Sequence, residues 1–282
     1  MKEKEFYSQK GTYNRVPLSK KIKAEKLIPI DIFDKFKSKG SYFLESAEVD
    51  MKWGRYSIIG LPSESSIKVK NSEIFLNLKG IKEKISSSDP LKFIENYLEE
   101  NFYPDTGDLP IFSGGLVGFF GYESIRLIET KLQNTSKNQA HEIEDINLLI
   151  SDKVIIFDNL EKTLEVVFYS NPNIENSYSE TFSEIDELIE RLQSQDDSNN
   201  DEVKSKNEIT FKSNMNFEQY TKCIEKIKDY IIEGDVMQVV FAQERSADFD
   251  LPPFELYKSL RKLNPSPYMF FLDFGDYQLV GS

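Results

Sequence analysis

Apolar and polar residues alternate along much of this chain with a period of two, and the alternation gives way to helical spacing at a few clearly bounded places. Ser66-Ile-Lys-Val-Lys alternates cleanly, and after Asn71-Ser72 the segment Glu73-Ile-Phe-Leu-Asn-Leu-Lys follows as its partner. Such alternation predicts strands with one solvated face, joined by a short turn. Ser41-Tyr-Phe-Leu-Glu-Ser-Ala-Glu and Gly54-Arg-Tyr-Ser-Ile-Ile-Gly read as two earlier strands. Ile146-Asn-Leu-Leu-Ile and Val154-Ile-Ile-Phe-Asp are continuous apolar runs, which predict buried strands, with Thr163-Leu-Glu-Val-Val-Phe-Tyr as their hairpin partner. Ile111-Phe-Ser-Gly-Gly-Leu-Val-Gly-Phe-Phe-Gly-Tyr is glycine-spaced and aromatic, a strand against which something packs closely. Its glycines lack the Lys-Ser/Thr and the helix start of a phosphate loop, so they read as structural.

Helical spacing appears in five places. Asp31-Ile-Phe-Asp-Lys-Phe suggests a short helix. Asp89-Pro90 opens another with a capping carboxylate and proline at its first position, and puts Phe93, Ile94, Tyr97 and Leu98 on one face. A long amphipathic helix covers about Tyr178 to Leu192. Asn216 with Gln219 forms a capping-box pattern ahead of the stripe Phe217, Tyr220, Ile224, Ile227 and Ile231, which Gly234 ends. The fifth helix runs from Pro252 to Leu263 and stops against Pro265. Val236 to Ala242 reads as a strand, as does Tyr268 to Leu272, followed by a Gly275-Asp276 turn and the returning strand Tyr277 to Val280.

These elements predict an α/β protein of the α+β type, mainly antiparallel sheets flanked by helices. Gln193 to Asn207 has no apolar periodicity and reads as a linker. The expected organisation is a domain over 1–195, a linker over 196–210, and the start of a second domain over 211–282. The last strand runs to the end of the sequence without a ladder to close it, so we expect the front part of a longer protein.

Composition narrows the partners. With 39% hydrophobic and 13% aromatic residues, the 282-residue chain has ample core material. Its 35 basic and 48 acidic residues give a formal charge of -13, which repels phosphate backbones and anionic lipid and argues against nucleic acid or a membrane surface. Cys223 is the single cysteine, so there is no intrachain disulfide, and a reducing cytoplasmic setting is expected. No apolar run approaches a membrane span. His141 is the single histidine, in a polar segment, so no histidine-based metal cluster or triad can form. Cys223 lies beside a helical stripe and reads as an inert half-buried thiol.

Three blocks in order carry a resemblance: Leu44-Glu45-Ser46, Gly234-Asp-Val-Met-Gln-Val-Val, and Asn264-Pro-Ser-Pro-Tyr-Met-Phe-Phe-Leu-Asp-Phe. Together they resemble the large subunit (component I) of anthranilate synthase, among the chorismate-utilising enzymes, over nearly the whole chain. The resemblance implies conversion of chorismate and ammonia to anthranilate and pyruvate, in the first step of tryptophan biosynthesis. It implies ammonia supplied by a glutamine amidotransferase subunit (component II), and feedback inhibition by L-tryptophan. On its own, Leu44-Glu45-Ser46 reads as the polar edge of a strand, and Tyr268 and Met269 as core. The resemblance instead implies that Ser46, Pro267, Tyr268 and Met269 line a tryptophan site, with Glu45 near the amino group. Flat apolar and thioether contacts suit an indole, and a hydroxyl and a carboxylate suit the amino-acid head.

Gln238 alone reads as an outward polar position on a strand. In relatives that add water to chorismate, a lysine occupies what looks like this position and serves as base. A neutral amide cannot do that, whereas ammonia needs placement more than deprotonation. Gln238 therefore fits the nucleophile side of an amination. The family's Mg2+-binding glutamates and acid–base residues belong to motifs past Ser282, so no metal ligand is assigned here. The alternatives are the large subunit of aminodeoxychorismate synthase, whose block usually reads Asn-Pro-Ala-Pro-Phe, and a non-catalytic tryptophan-binding fragment.

Overall fold

The computed structural model describes residues 1–46, 54–104, 107, 109–110, 112–132, 143–194 and 209–282. Helix α1 (Glu3–Tyr7) and strand β1 (Val16–Lys23) lead to helix α2 (Pro29–Phe36). Strands β2 (Tyr42–Glu45), β3 (Tyr56–Gly60), β4 (Ser66–Lys70), β5 (Glu73–Leu78) and β6 (Ile81–Ile85) follow, then helix α3 (Pro90–Asn101). Strand β7 (Gly115–Phe120) precedes two short 3-10 turns, and then come β8 (Ile146–Ser151), β9 (Lys153–Asp158), β10 (Thr163–Ser170) and helix α4 (Ser177–Gln193). The remainder is β11 (Lys212–Ser213), α5 (Phe217–Glu233), β12 (Arg245–Ser246), α6 (Pro253–Leu263), β13 (Met269–Asp273) and β14 (Gln278–Gly281). The architecture is mixed α/β with antiparallel sheets, as the periodicity predicts.

Two sheets build the larger unit. One has seven strands in the order β1-β10-β9-β3-β2-β13-β14, the other five in the order β6-β5-β4-β8-β7. One face of the five-stranded sheet carries Ile67, Val69, Ile74, Leu76, Ile146, Leu148 and Ile150 against Ile94 and Tyr97 of α3. Between the sheets, Tyr42, Val117, Leu149, Leu272 and Phe274 form a second core. Helix α4 covers β1 and β10 with Ile185, Leu188, Ile189 and Leu192.

Local chemistry explains several boundaries. Asn71 and Ser72 both take positive φ (52° and 64°), the geometry of a two-residue hairpin turn. Asp89 Oδ1 accepts the backbone N–H groups of Leu91 and Lys92 at 3.0 Å each, and Pro90 costs nothing because its missing N–H lies in the unbonded first turn.

Several features depart from the sequence expectation, beginning with α1 and β1, which form where the sequence shows only a polar, basic segment. The hairpin partner Thr163–Ser170 pairs with β9 but not with β8, which belongs to the other sheet. Asp152 alone separates β8 from β9, and it is held at that corner by Arg15 Nε at 2.7 Å. Strand β6 is a further strand: Ile81-Lys-Glu-Lys-Ile forms an exposed edge whose lysines discourage further pairing. Val236 to Ala242 forms no strand, and Met237 is 98% and Val240 85% exposed: no strand pairs with this segment among the described residues. The chain also divides differently: one unit takes Met1–Ser198 and Leu256–Ser282, the other Asn199–Glu255. The terminal hairpin falls in the first unit because β13 pairs with β2. Most of the expected linker, and His141, lie outside the described residues.

The smaller unit contains α5, with the Asn216–Gln219 capping box complete and Gly234 at φ 82° closing its C-terminus. Its apolar stripe is present, but no residue of α5 is buried.

A polar cluster ties the terminal hairpin to the five-stranded sheet. Tyr277 Oη donates to Glu144 Oε2 at 2.9 Å and accepts from Asn147 Nδ2 at 2.8 Å, while Lys68 Nζ donates to Glu144 Oε1 at 2.6 Å. Burial alone would raise the Glu144 pKa, but the bonds from Lys68, its own backbone and Tyr277 outweigh it and hold the carboxyl below its usual range. A depressed folded-state pKa stabilises the fold above the ordinary glutamate value and loses that contribution as pH falls through the folded one. The stability gap between the parent and Glu144→Gln is therefore expected to be full near neutrality and to close below about pH 4. Thermal melts of both proteins across that range check it; a gap that widens on acidification would contradict the assignment.

Candidate functional site

The register of β2 and β13 brings two distant sequence blocks side by side: Met269 pairs with Glu45, Phe270 with Leu44, Phe271 with Phe43 and Leu272 with Tyr42. What delivers β13 there is the end of α6. Asn264 N–H bonds the Leu260 carbonyl at 2.8 Å, and Pro265 and Pro267 then forbid further helix. The Ser266 hydroxyl accepts the Tyr268 N–H at 3.2 Å, and Asn264 Nδ2 donates to Ser282 Oγ at 3.0 Å.

Side chains on a strand alternate between faces, and directly paired residues share one. One face carries Phe43, Glu45, Met269 and Phe271. It meets α2 and α6: Phe33 stacks on Phe43 with centroids 5.3 Å apart, and Tyr257 packs edge-on to Phe43 at 5.7 Å. The other face carries Tyr42, Leu44, Phe270 and Leu272 and looks between the sheets. Ser46 follows Glu45 just past the end of β2.

The residues singled out in the sequence are thus split. Glu45 is 6% exposed, and its Oε1 accepts both the Tyr257 hydroxyl and Arg261 Nε, the latter at 2.7 Å. The bond to Glu45 is the main reason the Arg261 pKa rises. Burial, reinforced by the Glu45 carboxylate, pushes the Tyr257 phenol far above its ordinary value, so it stays a donor. Glu45 therefore has partners within the chain, on the α6 face. Met269, 1% exposed, is on that face too. The Ser46 hydroxyl is buried with no hydrogen-bond partner among the described residues. Pro267 is half-buried, and Tyr268 is 74% exposed.

Gln238 is exposed and belongs to the smaller unit, in the segment that forms no strand. Cys223 is half-buried. Among the described residues no three of His, Cys, Asp and Glu gather closely enough to hold a metal ion. Nor is any helix among them long and apolar enough to cross a membrane. Sequence reasoning missed Tyr257 and Arg261. Their signal was present, since they lie one turn apart on α6 and so share a face, but nothing local says that this face meets Glu45.

Residues 41–282 match the family model of the chorismate binding enzyme. The chain belongs to the chorismate-binding enzyme family. It is 38% identical over 275 residues to anthranilate synthase component 1 of Pseudomonas aeruginosa and 36% identical over 274 residues to that of Neisseria meningitidis serogroup B. Both matches take in 96% of this chain but 56% and 55% of the relatives, so the chain spans about half their length. Among solved structures it resembles anthranilate synthase component I from Streptococcus pneumoniae, with a TM-score of 0.67 at 26% identity over 92% of this chain and 56% of that one. The menaquinone-specific isochorismate synthase of Escherichia coli shares the fold, with a TM-score of 0.50 at 14% identity over 99% of this chain and 54% of that one. The family's members are chorismate-utilising enzymes, and the two antiparallel sheets belong to the fold they share.

Proposed function

We propose that this chain is the tryptophan-sensing part of an anthranilate synthase large subunit. In a full-length protein containing it, chorismate and ammonia give anthranilate, pyruvate and water, with the ammonia coming from glutamine through an amidotransferase partner. L-Tryptophan is the feedback inhibitor, and it binds where Leu44-Glu45-Ser46 and Pro267-Tyr268-Met269 meet. The observation that carries this reading is the β2–β13 register, which joins the two blocks whose sequences resemble the regulatory motifs of such subunits. A second supports it: Ser46 offers a buried hydroxyl that lacks a partner among the described residues, where the head group of an amino acid could supply one. The apolar body of the ligand is then matched by Leu44 and Pro267. Glu45 and Met269 share the face that meets α6, and in this reading they support the site rather than touch the ligand.

The reading is tested with Ser46→Phe. Bulk at this position removes the hydroxyl and crowds the ligand, and the loss of one good contact is worth about 1–3 kcal/mol, roughly tenfold or more in affinity. Calorimetric titration with L-tryptophan measures it. An affinity equal to the parent's would move the regulatory site elsewhere.

A further inference from the structure

We infer that Glu45, Tyr257 and Arg261 form a latch on the reverse side of the sheet that holds the two halves of the tryptophan site in register, so that Tyr257 and Arg261 act as positioning residues for a ligand they never touch. The inference rests on the site reading above and names how that site is held.

Glu45 is the residue immediately before Ser46, and its cross-strand partner Met269 immediately follows Tyr268. Any displacement of Glu45 against β13 is therefore passed directly to both blocks. The carboxylate is fixed from one direction: its Oε1 takes the Tyr257 hydroxyl and Arg261 Nε at 2.7 Å. The Glu45 side chain is 3% exposed and that of Arg261 39%, so the anion is desolvated while the cation keeps part of its hydration. Removing a donor from such a carboxylate leaves a buried charge short of partners, and the strand then shifts to recover solvent or another donor.

Helix α6 is also anchored by contacts that do not involve Glu45. Lys258 Nζ meets Asp34 Oδ2 of α2 at 2.8 Å, and the Tyr257 ring packs against Phe43 at 5.7 Å and Phe271 at 6.2 Å. The helix leads within a few residues into Pro265 and Pro267, whose fixed φ makes that connection stiff. The position of α6 on β2 thus sets where Pro267 and Tyr268 stand relative to Ser46. Tyr257 and Arg261, one helical turn apart, are the two groups that read that position through Glu45. Oε1 already serves two donors on the α6 side.

The test is calorimetric titration of the parent, Ser46→Phe, Glu45→Gln, Tyr257→Phe and Arg261→Met with two ligands: L-tryptophan, and indole-3-propionate, which lacks the amino group. A latch displaces the whole site, so Glu45→Gln, Tyr257→Phe and Arg261→Met are expected to weaken both ligands by one common factor, roughly two- to thirtyfold. Stoichiometry separates this from misfolding, since unfolded protein lowers the number of sites while a displaced strand raises Kd at constant number. Arg261→Met, at the most exposed member, serves if a buried variant does not fold. Weakening of L-tryptophan alone by Glu45→Gln would mean a direct contact with the amino group and would overturn the latch while leaving the site in place. Unchanged affinity in all three latch variants would also overturn it. If the parent binds neither ligand, or Ser46→Phe binds as the parent does, the site reading itself fails.

Discussion

Gly60→Ala is expected to destabilise the larger unit by about 2–4 kcal/mol, as overpacking of a tight core does. Gly60 stands directly opposite Tyr42 in the β2–β3 ladder, and an added methyl would overlap the Tyr42 ring itself. The ring cannot swing aside cheaply: it is 1% exposed, and its hydroxyl is hydrogen-bonded to Ser151 Oγ at 2.7 Å. A glycine across from an aromatic lets the ring lie flat over the neighbouring strand, and here that packing seats the start of β2, the strand that carries Glu45. Gly11 supplies the contrast. Its φ is 82°, but nothing lies within 4 Å of the site of a Cβ, so Gly11→Ala carries only the left-handed backbone cost of about 1–2 kcal/mol. Urea midpoints at constant m-value measure both. In a Tyr42→Leu background the Gly60→Ala penalty should shrink, because the overlapping ring is gone. If Gly60→Ala costs no more than Gly11→Ala, the packing account of this strand pair is wrong.

Local pattern made much of this fold legible. The alternation of Ser66–Lys70 and Glu73–Leu78, the Asn71-Ser72 turn, the Asp89-Pro90 helix start and the Asn216 capping box are all carried by residues within a few positions of one another. What the pattern could not carry is pairing between distant segments. The single-residue corner at Asp152 sends two consecutive apolar strands into different sheets, and nothing in their composition distinguishes them. Residues 256–282 return to the first sheet because β2 lies open to β13, a fact of assembly rather than propensity. Val236 to Ala242 has the composition of a strand but no strand to pair with among the described residues, and a ladder needs two sides. The candidate site divides in the same way. The resemblance picks out Glu45, Ser46, Pro267, Tyr268 and Met269 as one group, while period-two alternation turns Glu45 and Met269 toward α6 and Leu44 and Phe270 between the sheets. Tyr257 and Arg261 became visible only once α6 was packed on that face.

Gln238→Lys, in a full-length protein containing these residues, is expected to reduce anthranilate formation by about ten- to a hundredfold, the scale on which misplacing a reactant costs rate. Gln238 follows Met237 in a segment that is exposed in the smaller unit. A primary amide neither gains nor loses a proton near neutral pH, so in the proposed amination Gln238 would hold ammonia by hydrogen bonds while the ammonia supplies its own lone pair. Lysine changes both terms. With an ordinary pKa of about 10.4 it is a cation at neutral pH, occupies the approach of the nucleophile and has no acceptor for an N–H of ammonia. Where burial makes it neutral instead, it becomes a base able to deprotonate water, and a hydroxylated product should appear beside residual anthranilate. Gln238→Met separates these effects, since it removes the hydrogen bonds without introducing a charge or a base. Chromatography of the products from chorismate, Mg2+ and ammonium resolves the three cases. Anthranilate formed at the parental rate by both variants would remove Gln238 from the site, and a hydroxylated product from Gln238→Met would show that no base at this position is needed for the water reaction.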